Sequence, residues 1–342
     1  MASPAFDSPP GEAHRTLPAL WLAPLLDPSG YSDEARNFLL ALERGGYATC
    51  ARNWRQTGTS GGVSGVVRET IDRALARDVP EGEFTFVRHM VPTAFAHPSP
   101  DRGPQVMRTM YETDRIPNYW RAALLDVDEI WVPCEHNIDS FQRAGIPAER
   151  LRLLPGTIDF DLFDPGAVEP WPMPQARRFT FLTNFDFTDR KGWSLLLDAW
   201  ADAFEPTDDV SLVLKCVSMH GSADDIGARI QAHLGGRATA PLILNTNVVP
   251  MAEMPRLYAA ADAYVLASRG EGWGRPYMEA MAMGLPTIGS RWSGNLAFMN
   301  DDNSWLLDGK VVPIERWDPL PERMWKGHRW FEPDHDSLVQ TM

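Results

Sequence analysis

Short apolar runs alternate with longer amphipathic stretches along most of the chain. The runs at residues 19–23, 84–87 and 263–267 consist almost wholly of apolar and aromatic residues. A strand that helices cover on both faces has this pattern, because it needs no polar face. Such strands in alternation with helices predict an α/β fold built on parallel sheets.

The pattern predicts two series of elements. In the first, strands lie at 19–23, 48–54, 84–87, 106–113 (which passes into a loop), 129–132 and 151–154, and helices at 32–45, 116–125 and 137–144. In the second, strands lie at 178–183, 211–216, 241–244, 263–267 and 287–290, and helices at 193–204, 224–234, 254–261 and 276–284. Ser32 and Asn137 are the predicted N-caps of two of these helices.

A proline-rich stretch divides the two series. Residues 169–174 read Glu-Pro-Trp-Pro-Met-Pro, and repeated proline stiffens a linker. We therefore predict an N-terminal Rossmann-like domain at 17–168, a linker at 169–178 and a C-terminal Rossmann-like domain at 179–342. The 342 residues suffice for two domains that each bury a core. Residues 1–16, rich in Pro, Ser and Ala, are predicted to be a disordered lead-in.

One stretch, residues 269–284, carries most of the candidate chemistry. Gly270, Gly272 and Gly274 follow the strand at 263–267 and allow the backbone to approach a ligand closely. Pro276 then favours the start of a helix, and Gly284 favours its end. A glycine loop before a helix N-terminus offers unpaired N–H groups and partial positive charge, which suit a phosphate.

Charged side chains indicate what else the ligand carries. Glu271 and Glu279 flank the loop, and carboxylates repel a diphosphate, so we expect them to accept hydrogen bonds from sugar hydroxyls. Arg190 and Lys191 precede the helix at 193–204, where the helix dipole disfavours cations unless they share an anion with it. These residues predict a pocket for a nucleotide sugar.

The same residues carry a family resemblance. The pattern Glu-Gly-x-Gly-x-Pro-x-x-Glu-Ala begins at Glu271 and is followed by Met-Gly-Leu-Pro-Thr-Ile and, from Trp292, by Trp-Ser-Gly-Asn. It resembles the retaining glycosyltransferases of family 4, which have the GT-B fold. The resemblance covers most of residues 19–340. It implies two Rossmann-like domains that face each other across a cleft, the N-terminal one binding the acceptor and the C-terminal one a nucleoside-diphosphate sugar.

The resemblance also implies roles for the matching residues. Glu271 contacts the donor sugar, Glu279 holds the ribose hydroxyls, and Lys191 neutralises charge on the leaving phosphate. Transfer is expected to retain the anomeric configuration. The donor-binding set comprises Arg190, Gly30, Gly272, Trp273, Gly274, Arg275, Pro276 and Glu279.

The chain departs from the family's pattern at two places. Where the family carries an arginine at the end of the strand before Arg190, this chain has Thr-Asn-Phe at 183–185. We hypothesise that Arg275 compensates for the missing positive charge. The family also continues past a position near residue 334 with a helical segment that crosses back to the N-terminal domain. This chain stops at Met342. We therefore expect a truncated or unusually short C-terminus, and the sequence does not determine how the two domains close on each other.

Candidate residues on the acceptor side lie near the ends of N-terminal strands, where open α/β sheets bind ligands. His89 follows the strand at 84–87 and is expected to point into the cleft. The resemblance implies that it contacts the donor sugar or the acceptor and makes it a catalytic candidate. The alternatives are an ordinary satisfied histidine at a strand end, and His97 in its place.

Three further positions complete the acceptor side. Gly30 lies in the first strand-to-helix loop and is either a diphosphate contact, as the resemblance implies, or a plain turn glycine. Tyr31 beside it is an acceptor-binding candidate. Glu112 either binds acceptor hydroxyls, is solvated, or pairs with Arg115.

Composition narrows the classes of partner. The 46 acidic and 32 basic residues give a net charge of −14, shared by both halves. This excess argues against nucleic acid and does not indicate contact with an anionic membrane surface, so a soluble or saccharide acceptor is favoured. The apolar run at 17–26 is too short to span a bilayer and lacks the features of a signal peptide. Three cysteines without paired spacing indicate a reducing cytoplasm.

No metal ion or other cofactor is expected. Asp126 and Asp128 have the Asp-x-Asp spacing that holds a divalent cation in some glycosyltransferases. We discount them, because acidic residues commonly fill a short loop between a helix and a strand, and GT-B enzymes need no metal.

Two other functions use the same architecture. A nucleotide-sugar epimerase would need further acid and base groups around the sugar. A non-catalytic protein that binds a nucleotide sugar would need only the donor pocket.

Overall fold

The structure is a computed structural model that describes residues 17–54, 62–92, 103–218 and 224–342. The predicted lead-in at 1–16 and the candidate His97 lie outside these residues.

The N-terminal part of the chain forms a six-stranded sheet in which all neighbouring strands are parallel. Its strands are β1 (Ala19–Ala23), β2 (Cys50–Asn53), β3 (Thr85–His89), β4 (Gln105–Arg108), β5 (Glu129–Val132) and β6 (Leu151–Leu153). Its helices are α1 (Gly30–Arg44), α2 (Gly65–Ala76), α3 (Trp120–Leu125) and α4 (Glu135–Arg143). The spatial order is β2-β1-β3-β4-β5-β6. Helix α2 was not predicted.

The C-terminal part forms a second six-stranded parallel sheet. Its strands are β7 (Phe179–Asp186), β8 (Val210–Val217), β9 (Leu242–Asn245), β10 (Ala263–Leu266), β11 (Thr287–Ser290) and β12 (Trp305–Leu307). Its helices are α5 (Trp193–Ala203), α6 (Asp224–Leu234), α7 (Met254–Ala259), α8 (Arg275–Ala282) and α9 (His335–Thr341). The order is β12-β11-β10-β7-β8-β9. The predicted α/β fold with two parallel sheets is confirmed.

A hairpin near the C-terminus fastens the two halves together. Strands β13 (Gly309–Pro313) and β14 (Arg329–Pro333) are antiparallel. Trp317 and Trp325, between these strands, are buried in the same apolar cluster as Tyr111 of the N-terminal part. The Tyr111 hydroxyl donates to the carbonyl of Met324 at 2.5 Å. The segment between residues 309 and 333 therefore makes the domain contact that the sequence left open.

Two predicted helix caps are wrong. Ser29, in an extended conformation, caps α1 by accepting from the N–H of Ser32 at 3.3 Å, so Ser32 lies inside the helix. Asn137 lies in the first turn of α4 and spans the domain interface instead. Its Oδ1 accepts from the Tyr111 N–H at 2.7 Å, and its Nδ2 donates to the Gly272 carbonyl at 2.9 Å.

Candidate functional site

The glycine loop between β10 and α8 lies against the loop that follows β4. A Cβ at Gly270 would stand 2.2 Å from the carbonyl oxygen of Glu112, and one at Gly272 would stand 2.6 Å from Met110 Cγ. These two glycines let the two domains approach each other, and the predicted donor-binding role of Gly272 stays a prediction. Gly274 has φ +93° and turns the chain into α8, with Pro276 in the first turn.

Trp273, in the same loop, also belongs to the domain contact. Its indole is buried, and a Cβ at Gly156 in the segment that leads out of the N-terminal part would stand 2.7 Å from its Nε1. The Nε1 lies 3.3 Å from Met278 Sδ. The predicted donor-binding role of Trp273 stays a prediction.

Glu271 is the centre of a buried ion cluster. Its Oε1 accepts from Lys191 Nζ at 2.5 Å and Ser268 Oγ at 2.6 Å, and Arg190 Nη1 lies 3.3 Å away. Burial opposes ionisation of Glu271, but Lys191 and Arg190 outweigh it and hold the pKa of the carboxyl below its ordinary value. Burial, with the nearby Arg190 cation, lowers the pKa of Lys191 even though the Glu271 carboxylate opposes this shift. The sequence missed Ser268, which directly precedes the recognised loop.

Local backbone geometry places Lys191 in this cluster. Residues 189–191 form a 3₁₀ turn after β7, and Gly192 then has φ +63° before α5 begins at Trp193. A Cβ at Gly192 would stand 2.0 Å from the carbonyl oxygen of Ala267, so only glycine fits between the turn and the end of β10. Arg190 and Lys191, the two cations predicted at the N-terminus of this helix, therefore lie next to Glu271.

Arg190 joins the cluster to the N-terminal domain. Its Nη2 lies 3.4 Å from Glu112 Oε1, and its guanidinium lies over the Trp317 ring. Glu112 therefore pairs across the interface and not with Arg115, which lies beside Asp114 at 3.5 Å. Two of the predicted site residues, one on each domain, thus meet at the interface.

Glu279 is buried on α8 next to two hydrogen-bond donors. Tyr258 Oη lies 2.9 Å from its Oε2, and Arg275 Nη2 lies 3.3 Å from its Oε1. Burial outweighs these contacts and raises the pKa of Glu279 to about 7. Arg275 also donates to the carbonyl of Thr157 at 3.0 Å, and its Cδ would lie 3.7 Å from a Cβ at Gly30. Gly30 thus lies beside the donor-side residues.

The raised pKa of Glu279 makes stability fall with pH. The folded protein holds the proton of Glu279 more tightly than the unfolded chain does. The stability that protonated Glu279 contributes is therefore fully present below pH 4.5 and is lost as pH rises through 7. The full change is about 3 kcal/mol. We expect wild type to lose stability relative to Glu279→Gln between pH 4.5 and 7, as measured by urea unfolding. The same pH dependence in both proteins would contradict this.

His89 does not point into an open cleft. Its side chain is 0% exposed, and its Nε2 donates to Glu34 Oε2 at 2.8 Å. Arg108 Nη2 and Nε lie 2.6 and 3.1 Å from the two oxygens of the same carboxylate. Burial lowers the pKa of His89, which favours the neutral imidazole. The prediction that His89 faces the cleft is wrong, because Glu34 on α1 and Arg108 on β4 enclose it.

Tyr31 lies above this buried triad. Its hydroxyl is 3.1 Å from Thr109 Oγ1 and donates to the Met110 carbonyl at 3.1 Å, and its ring meets the edge of His89. Burial raises the pKa of the Tyr31 hydroxyl, which keeps it neutral. Its proposed contact with an acceptor stays a prediction.

Among the described residues, no group of three or more His, Cys, Asp or Glu side chains is placed to hold a metal ion. In the same part of the chain, no helix is both long and apolar enough to cross a bilayer. The three cysteines are free and buried.

Comparison with known proteins shows similarity to glycosyltransferases. Residues 176–316 match the family model described as "Glycosyl transferases group 1". A mannosylfructose-phosphate synthase from Agrobacterium fabrum is 24% identical over 157 residues, a stretch that spans 42% of this chain and only 33% of that relative.

Solved structures share the fold. A glycosyltransferase from Rickettsia africae has a TM-score of 0.60 at 12% identity, over 96% of this chain and 87% of its own. HepE from Anabaena, in complex with UDP and glucose, has a TM-score of 0.55 at 16% identity, over 85% of each chain. The chain has the GT-B fold, and less than half of it, residues 176–316, is similar to glycosyltransferases of group 1.

Proposed function

We propose that this chain transfers a sugar from a nucleoside-diphosphate sugar to an acceptor hydroxyl, with retention of anomeric configuration and without a metal ion. The observation that carries the proposal is the buried Lys191–Glu271 pair at the domain interface. It lies next to the α8 N-terminus in the region that matches the glycosyltransferase family. The glutamate motif that resembles family 4 supports retention.

The residues of the cluster and Glu279 have different roles in the proposed transfer. The bond from the anomeric carbon to the diphosphate breaks, and a bond to the acceptor oxygen forms. Lys191 and Arg190 stabilise the negative charge that develops on the leaving diphosphate, in a site where burial strengthens the interaction. Glu271 orients the donor sugar, and Glu279 accepts from the ribose hydroxyls. The acceptor proton passes to the leaving diphosphate, so no protein base is required.

The acceptor approaches from the N-terminal domain. Glu112, a quarter exposed, lies on that side and is 3.4 Å from Arg190. A carboxylate at this position suits an acceptor with hydroxyl groups, such as a saccharide or a small soluble alcohol. We place the reaction in the cytoplasm, where three unpaired thiols stay reduced.

Turnover with nucleotide sugars tests the proposal. The protein is incubated in EDTA with UDP-, GDP- and ADP-linked glucose, mannose and N-acetylglucosamine and a panel of glycoside acceptors. We expect release of one nucleoside diphosphate that depends on an acceptor, and a product whose anomeric proton coupling in NMR matches that of the donor. A product of inverted configuration would overturn the proposed retention, and a strict metal requirement would overturn the proposed metal independence.

The same assay separates the alternatives. An epimerase would convert the donor to an isomer when no acceptor is present. A protein that only binds the nucleotide sugar would show binding with neither transfer nor hydrolysis. Either result would contradict the proposed function.

A further inference from the structure

Lys215 is a buried cation that the proposed mechanism does not use. The sequence has four lysines, of which Lys310 and Lys326 are exposed and Lys191 and Lys215 are buried. Lys191 is paired with Glu271. Lys215 is only 9% exposed, and within the described ranges its Nζ has no hydrogen-bond acceptor and no ion pair but keeps some contact with solvent. A largely buried ammonium without a protein acceptor is stabilised when a ligand supplies an anion.

Strand register places Lys215 on the donor side of the C-terminal sheet. It lies near the carboxyl end of β8, opposite Asn184 on β7 and Asn245 on β9. Paired residues of parallel strands point to the same face. Asn184 Oδ1 lies 3.1 Å from the Tyr258 hydroxyl, which lies 2.9 Å from Glu279. Lys215 is therefore on the face that carries Glu279, at the edge where such sheets bind ligands.

Burial is the largest effect on Lys215 and lowers the pKa of its ammonium, while the carboxylates of Glu279, Asp33 and Asp186 oppose this shift. Two of these carboxylates have cations of their own. Glu279 is in contact with Arg275, and Asp33 is paired with Arg36. Asp33 lies on α1 of the N-terminal domain, so Lys215 faces the space between the domains. An anion in that space would therefore meet the positive charge of Lys215.

We propose that Lys215 binds an anionic oxygen of the donor's diphosphate. This inference rests on the proposed function and names a second buried cation for the donor. It supplies positive charge beside Asn184, where the sequence lacks a basic residue at the end of β7. Arg275 is a poorer candidate for that task, because its two terminal nitrogens are engaged by Thr157 and Glu279.

Calorimetric titration of Lys215→Met, Lys215→Arg and the control Lys310→Met tests the inference. The probes are UDP, GDP and ADP. A fourth probe is the nucleoside that corresponds to the diphosphate that wild type binds most tightly. We expect Lys215→Met to weaken that diphosphate by about 10- to 100-fold, the value of a hydrogen bond to a charged group, and to leave the nucleoside unaffected. Lys215→Arg should recover part of the loss, and Lys310→Met should bind as wild type.

Thermal unfolding without nucleotide excludes a merely structural role. Removal of an unpaired buried charge should leave the midpoint of Lys215→Met equal to or above that of wild type. A lower midpoint or failure to fold, unchanged diphosphate affinity, or an equal loss for nucleoside and diphosphate would each overturn the inference. Absence of binding by wild type to all three diphosphates would instead overturn the proposed function.

Discussion

Glu271→Gln and Lys191→Met are each expected to lower the rate of sugar transfer by about a hundredfold to a thousandfold. The two side chains form a 2.5 Å ion pair with less than a tenth of either side chain exposed. We propose that Lys191 neutralises charge on the leaving diphosphate, and methionine keeps its length without its charge. Glutamine keeps the shape of Glu271 but cannot hold the negative charge that positions Lys191. Initial rates of nucleoside diphosphate release at saturating donor measure the effect.

A matched control comes from the surface of the same protein. Glu322 and Lys326 form an ion pair of 2.9 Å in which both side chains are mostly exposed. Exposed pairs of this kind contribute little to stability. Glu322→Gln and Lys326→Met should therefore transfer sugar at the wild-type rate. Full activity of Glu271→Gln or Lys191→Met, in protein that unfolds at the wild-type temperature, would remove the basis of the proposed mechanism.

Glu34→Gln is expected to lower the free energy of unfolding by about 3–5 kcal/mol, the usual effect of breaking a buried ion pair from one side. Glu34 is 1% exposed and meets Arg108 through both carboxylate oxygens and His89 through one. Burial would raise the pKa of Glu34, but Arg108 and His89 hold it well below its ordinary value. The substitution leaves the Arg108 guanidinium buried without a countercharge.

Urea unfolding of two further variants distinguishes the loss of a buried ion pair from the simple loss of a carboxylate. Glu253, paired at 2.9 Å with Arg256 on a partly exposed surface, is the matched control, and Glu253→Gln should change stability by less than about 1 kcal/mol. Glu34→Leu combined with Arg108→Met should recover part of the loss, because no unpaired charge remains. A loss below about 1 kcal/mol in Glu34→Gln would mean that the triad does not stabilise the domain.

Local pattern was enough to predict most elements of the fold. Strands β1 and β11 and helix α6 lie at the predicted residues. Each is fixed by its own run of apolar residues or by nearby glycine and proline. Helix α2 was missed, because it follows a glycine-serine stretch that reads as a loop. The Ser32 cap was misplaced by three residues, since Ser29 offers the same hydroxyl and the extended backbone that selects between them is not visible in sequence.

The site could be predicted only where its residues are close in sequence. The glycine loop, Glu271 and Glu279 belong to one stretch, and Arg190 and Lys191 were marked by an unusual place before a helix. His89 was misjudged because its partners, Glu34 and Arg108, come from other elements. Gly270 and Gly272 were recognised as close-approach positions, but sequence does not show that the approaching backbone and side chain belong to the other domain. Lys215 is a charged residue inside an otherwise largely apolar strand, and this feature is visible in the sequence.

The proposal depends above all on the Lys191–Glu271 cluster being a nucleoside-diphosphate site. A thermal-shift measurement with UDP, GDP and ADP in EDTA tests this directly. A ligand that binds only the folded protein stabilises it by roughly 2.7 kcal/mol at a hundredfold excess over Kd. We expect a clear rise in the unfolding temperature with one of the three nucleotides, lost in Lys191→Met and kept in Lys326→Met. No rise with any nucleotide, or an equal rise in Lys191→Met, would contradict it.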